Sequence, residues 1–130
     1  MLSAFASGFL VFAFLATALF QLAIVLGAPI GEYAYGGQHK GKLPIGYRLG
    51  SVMSFFLMLA FAGHYVAQLD LVPQLLGQAG NQITNWVLVG FSALSALVNN
   101  ITRSQKETRL WGGITIAMLL ASLLVALDFQ

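Results

Sequence analysis

The sequence predicts an all-α fold, an integral membrane four-helix bundle of up-down-up-down topology formed by residues 1–130 as one transmembrane domain. Two observations carry this prediction. Of the 130 residues, 58% are hydrophobic and 8% are charged, whereas about a quarter of the residues in a soluble domain are charged. Four stretches lack Asp, Glu, Lys and Arg, and each is long enough for the roughly 20 apolar residues of a membrane-spanning helix: 1–31, 49–69, 71–102 and 110–127.

The helices take their expected limits from local breaking and capping signals. Gly27 and Pro29 end the first span, since glycine favours a helix C-terminus and proline prevents continuation. Ser104 and Glu107 have the spacing of a capping box, so the fourth helix should begin before the membrane. The second and third connections are short, which makes consecutive helices antiparallel neighbours. The predicted spans are 2–26, 49–69, 82–98 and 110–127.

The basic residues indicate how the chain is oriented. Lys and Arg occur only in the first and third connections, and the positive-inside rule places those connections in the cytoplasm. Both termini are then outside, and we expect a multi-pass protein of the bacterial cytoplasmic (inner) membrane. The grouping of so few basic residues makes nucleic-acid binding unlikely on physical grounds. The six residues are Lys40, Lys42, Arg48, Arg103, Lys106 and Arg109.

His64 is the titratable side chain that lies well inside a predicted span, and Gln68 follows one helical turn later. An ionisable residue within the membrane indicates a transport pathway or a ligand contact. The alternative is a helix-to-helix hydrogen bond that only holds the bundle together. Asp70, Asn85 and Asp128 are expected near the same surface, and the sequence leaves open whether they meet His64.

The first connection, residues 28–48, is rich in glycine, tyrosine and charge. Glycines let a backbone approach a partner closely, and tyrosines can stack on a ligand or lie among lipid headgroups. We expect this loop to bind a partner or ligand, although a turn-rich connector with topological charges is the alternative. Gln21 in the first span is expected at the same level. The candidate contacts are Glu32, Tyr33, Tyr35, His39, Lys40 and Arg48.

At this loop the chain resembles small bacterial four-span membrane proteins of uncharacterised function. The resemblance rests on the segment from Gly27 to His39, which reads GAPIGEYAYGGQH. It continues through Leu43-Pro44 and through the run from Asn99 to Trp111, and so covers essentially the whole chain. It implies the fold and the membrane location, and it supplies no activity, cofactor or catalytic residue.

Several classes of function lack the residues they need. The chain has no cysteine, no established catalytic or nucleotide motif, and no metal-ligand spacing. Two histidines on opposite sides do not suit a shared haem. Small multidrug transporters are four-span chains of similar length, but they depend on a membrane-embedded carboxylate, and the predicted spans contain none in their cores. We therefore expect no cofactor and no resident metal.

The sequence thus predicts a non-enzymatic membrane protein that binds a partner protein, a lipid or a small ligand through its Gly/Tyr-rich loop. Membrane lipid is the expected surrounding, with a second copy or another membrane protein as a further partner. The alternative is a small oligomeric transporter or channel in which His64 and Gln68 line the pathway.

Overall fold

The computed structural model describes residues 2–128, and these form four long helices with no strand. The all-α prediction is confirmed for this part of the chain. Two single 3₁₀ turns, Gly31–Tyr33 and Tyr35–Gly37, lie between the first two helices. The helices are α1 (Leu2–Val25), α2 (Ile45–Gln68), α3 (Gly77–Ile101) and α4 (Gln105–Asp128).

Three of the helices, α1, α2 and α4, are long and apolar enough to cross a membrane. Many of their large apolar side chains point outward; Phe5 and Phe12 of α1, for example, are 79% and 80% exposed. An apolar surface of this extent suits contact with lipid and not with water. Helix α3 is of similar length, but its first turns carry polar side chains, including those of Asn81 and Asn85.

Helices α1 and α4 pack against each other, and each has one further neighbour: α1 contacts α2, and α4 contacts α3. Helices α2 and α3 approach each other less closely and are bridged by side chains. Midway along the helices, the Phe14 ring lies 5.4 Å from Phe61, 5.9 Å from Tyr65 and 6.4 Å from Phe91, centroid to centroid. These four rings, called the aromatic layer below, fill the centre of the molecule.

The boundaries of two helices, α2 and α3, differ from the sequence prediction. Helix α2 begins at Ile45 and not at residue 49, directly after Pro44, whose fixed φ of −59° precedes the first helical turn. Arg48, predicted to lie in the loop, is therefore a helical residue. Helix α3 begins at Gly77 and ends at Ile101, so it is longer than the predicted span 82–98 at both ends.

Helix α4 opens with one α-turn and then passes through a π-helical turn from Thr108 to Gly112. The Gly112 carbonyl accepts hydrogen bonds from Asn100 Nδ2 at 3.3 Å and from Thr115 Oγ1 at 3.0 Å. A Cβ at position 112 would lie 2.8 Å from Asn100 Oδ1, so a larger residue here would have to displace the Asn100 amide.

Candidate ligand-binding site

The connection between α1 and α2, residues 26–44, folds back over the ends of the helices, and we call it the lid. Its two halves are joined by a hydrogen bond from the Gly31 N–H to the Gly41 carbonyl at 2.8 Å. A Cβ on Gly31 would lie 2.6 Å from the His39 carbonyl, so the crossing requires glycine. Ala34 and Leu43 are buried against Ile24 of α1, and this small apolar cluster anchors the lid.

The lid is fastened to the start of α4. Ser104 Oγ donates to the Glu32 carbonyl at 2.6 Å, and the Glu32 carboxylate pairs with the Lys106 ammonium. The hydrogen bond from Lys106 holds the pKa of the Glu32 carboxyl below its usual range. A Cβ on Gly37, whose φ is +70°, would lie 2.5 Å from Ser104 Cβ. The lid thus packs directly against the start of α4, without space for a side chain at position 37.

The lid is also fastened to α2. The Tyr35 hydroxyl lies 2.9 Å from Ser51 Oγ, which is fully buried. The ring of Tyr35 packs against the ring of Tyr47, with 4.9 Å between the centroids. The His39 ring packs on the same tyrosine at 5.0 Å. Arg48 donates through Nε and Nη2 to the Val25 carbonyl, at 3.2 and 2.8 Å, and so closes the C-terminus of α1.

The residues predicted as loop contacts therefore divide into two groups. Tyr33 and Tyr35 line the space beneath the lid. Glu32, His39 and Arg48 are engaged in contacts that hold the lid in place, and Lys40 is exposed.

Beneath the lid is a cavity of about 460 Å³. All four helices contribute to its wall. Leu57 of α2 and Val98 of α3 border it with side chains 42% and 49% exposed, so the cavity opens between these two helices. Its wall is mainly apolar and aromatic, and Phe20 and Trp111 meet there edge to face at 4.9 Å.

Three buried polar atoms in the cavity wall have no hydrogen-bond partner within the described residues: Gln21 Oε1, Ser92 Oγ and Glu107 Oε1. Gln21 was predicted to lie at the level of the loop, and it does line the space beneath it. Glu107 is 4% exposed, and its other oxygen, Oε2, accepts a long hydrogen bond of 3.3 Å from the Gly36 N–H of the lid. Buried polar groups are normally paired, so these atoms indicate a site for a ligand.

Glu107 is the residue that sequence reasoning missed. The capping box is half formed: Ser104 Oγ accepts from the Glu107 N–H at 3.1 Å, but the Glu107 side chain turns into the cavity and does not return to the Ser104 N–H. Glu107 lies outside the predicted span 110–127, so the expectation that the cores of the spans hold no carboxylate is not affected. The available signal was spacing, because Glu107, Trp111 and Thr115 recur every four residues and share the cavity face of α4.

At the opposite end of the helices, polar side chains of α2 and α3 pair with each other. His64 Nε2 lies 2.7 Å from Asn85 Oδ1, and Gln68 exchanges amide hydrogen bonds with Asn81. We call these four residues the polar ladder. His64 and Gln68 thus share one cluster with Asn85, whereas Asp70 and Asp128 are exposed. The aromatic layer lies between this ladder and the cavity.

No family model, curated protein or solved structure matches the chain. The resemblance to small four-span membrane proteins of bacteria stays a prediction. Within residues 2–128, no group of three or more His, Cys, Asp or Glu side chains is placed to hold a metal ion.

Proposed function

We propose that the protein is a non-enzymatic, multi-pass protein of the bacterial cytoplasmic membrane that binds a small ligand in the cavity beneath the lid. The observation that carries this proposal is the cavity itself, which the lid covers and whose wall contains three unpartnered polar atoms. Such a combination of apolar lining and a few polar groups is typical of small-molecule sites.

The membrane arrangement proposed is a four-helix bundle with the lid in the cytoplasm and both termini outside. Three helices have the length and apolarity to span a membrane. The ion pair between Glu32 and Lys106 brings the two basic connections to the same end of the molecule, as the positive-inside rule requires if that end is cytoplasmic.

A small ligand is favoured over a macromolecular partner because three buried polar atoms without partners belong to residues of the cavity wall. The outer contacts of the lid are largely committed to α2 and α4. The volume falls within the range of about 300–1,000 Å³ that small-molecule pockets occupy. The lid then serves to cover the ligand.

Ligand binding can be measured by the fluorescence of Trp111, which lines the cavity. The chain has two tryptophans, so Trp86→Phe leaves Trp111 as the single fluorophore. In lipid nanodiscs of this variant, we expect 2-phenylethanol to change Trp111 emission saturably. Ser95→Phe, which fills the cavity, should abolish the saturable change, whereas Ala93→Phe on the exposed face of α3 should retain it. Equal responses from both variants would contradict the site.

A second candidate function, transport by an oligomer, is favoured by the polar ladder. The ladder and the cavity occupy opposite ends of the space between α2 and α3, with the aromatic layer between them. Proteoliposomes containing a pH-sensitive dye test this directly. A proton flux that His64→Leu removes would support transport, and the absence of flux in the unmodified protein would oppose it.

A further inference from the structure

We infer that the ligand of the cavity is a protonated amine with an apolar body, bound through the Glu107 carboxylate. This inference rests on the proposed function, because it names the chemical class that the same cavity accepts. Three observations support it: the charge of the wall, the type of its unpartnered atoms, and its aromatic lining.

Charge is the first observation. Among the described residues of the wall, Glu107 alone has an acidic or basic side chain of the Asp, Glu, Lys or Arg type. The nearby ammonium of Lys106 is outside, paired with Glu32. A carboxylate that is 4% exposed and has one oxygen unpartnered is costly to hold in an apolar interior. A cation in the cavity would offset that cost, and an anionic ligand would increase it.

The unpartnered atoms are the second observation. Glu107 Oε1 and Gln21 Oε1 are a carboxylate and an amide oxygen, and both accept hydrogen bonds. The ligand must therefore bring donors. An ammonium group carries up to three N–H donors and a positive charge, and hydrogen bonds between charged groups are about twice as strong as neutral ones.

The lining is the third observation, and it excludes a bare metal ion as the preferred occupant. Metal ions need several converging oxygen, nitrogen or sulfur ligands, whereas the cavity wall that contains Glu107 also includes Phe20, Phe91 and Trp111. Aromatic rings contact the apolar part of a ligand and attract an organic cation through their negative faces. An amine attached to an apolar group matches both parts of the wall.

The test compares two probes that differ in charge: 2-phenylethylamine, which is a cation at pH 7, and 2-phenylethanol, which is neutral. Binding is measured through Trp111 emission in Trp86→Phe protein in nanodiscs of uncharged lipid. We expect the amine to bind at least about tenfold more tightly than the alcohol, since hydrogen bonds to charged groups contribute about 1.5–3 kcal/mol. An anionic probe, 3-phenylpropionate, should bind more weakly than either.

Glu107→Gln is the decisive variant, because an amide keeps the size of the side chain and an oxygen for the Gly36 N–H. We expect it to reduce the preference for the amine to less than about threefold while alcohol binding changes little. Asp70→Asn removes an exposed carboxylate at the far end of the molecule and should leave the preference intact. Each probe also partitions into lipid, but this contribution is the same for all variants in the same nanodiscs and drops out of the comparison between them.

The outcomes separate this inference from the proposed function. If both probes bind unmodified protein equally well, or if Glu107→Gln keeps the full preference, the amine assignment is wrong while the cavity remains a binding site. If neither probe binds, the proposed function fails as well. Should Glu107→Gln not fold, the order of the three probes in unmodified protein decides the question, since a preference for the neutral or anionic probe would overturn the inference.

Discussion

At the two ends of the space between α2 and α3, the polar side chains differ in how far they are paired, although the Tyr65 hydroxyl beside the ladder also lacks a partner within the described residues. In the polar ladder, His64, Gln68, Asn81 and Asn85 form hydrogen bonds to one another from facing helices. In the cavity beneath the lid, Gln21, Ser92 and Glu107 each retain a buried atom without a partner. The difference teaches that polar groups paired across helices stabilise the fold, whereas unpaired ones that face a cavity are available to a ligand.

The largest effect is expected where the lid touches α4. In Gly37→Ala, the new Cβ clashes with Ser104, and the positive φ is unfavourable for alanine. Gly41 has a similar φ of +72° but no atom near its Cβ position, so Gly41→Ala has the unfavourable φ without a clash. We expect Gly37→Ala to reduce the free energy of unfolding by about 1–2 kcal/mol more than Gly41→Ala does. Titration with SDS in mixed micelles measures the free energy of unfolding of both variants. Equal losses of stability would show that the lid does not pack closely against Ser104.

The next prediction compares two asparagines near opposite ends of α3. Asn85→Leu removes the partner of His64 and should destabilise the protein by about 1–2 kcal/mol. Asn99→Leu, in the cavity wall, removes a bond to the Ser95 carbonyl of the same helix and should have an effect below about 0.5 kcal/mol. SDS unfolding measures the loss of stability in both variants. A larger loss of stability in Asn99→Leu than in Asn85→Leu would contradict the prediction.

Two buried serines provide a finer version of the same contrast. Ser51→Ala removes the shorter of the two hydrogen bonds of the Tyr35 hydroxyl, which also donates to the Tyr47 carbonyl, and should reduce stability by about 1 kcal/mol. Ser92→Ala removes a hydroxyl oxygen that has no partner, so stability should stay equal or rise slightly. Unfolding of the two variants without added ligand is the measurement. A clear loss for Ser92→Ala would mean that its hydroxyl is already paired.

The smallest effect concerns pH and the ion pair between Glu32 and Lys106. Because the pKa of Glu32 is lowered in the folded protein, its stabilising contribution is complete above the unfolded value of 4.5 and is lost as pH falls through the folded value. Protease cleavage within the lid should therefore accelerate slightly on acidification through this range. Glu32→Gln should weaken that acceleration, and an unchanged pH dependence would exclude the ion pair as its cause.

Much of the fold could be predicted from the sequence, because charge-free stretches and breaking residues such as Gly27 and Pro29 act locally. The polar ladder was partly predictable: His64 and Gln68 lie one turn apart, but whether Asn85 faced them depended on the rotation of α3. The role of Glu107 was not predictable from the capping-box spacing alone. A capping-box spacing describes the backbone of the first turn, and the inward direction of the side chain depends on the lid folding back across it.

The π-helical turn of α4 has a consequence for how the binding site could change over evolution. A π turn accommodates one more residue per turn than a regular helix, so deleting a single residue between Thr108 and Gly112 would restore α-helical winding. The turn before it would then rotate by about 100° relative to the buried residues Met118 and Val125. Glu107 would leave the cavity without any substitution in its wall. The length of this one segment therefore controls whether the cavity is acidic.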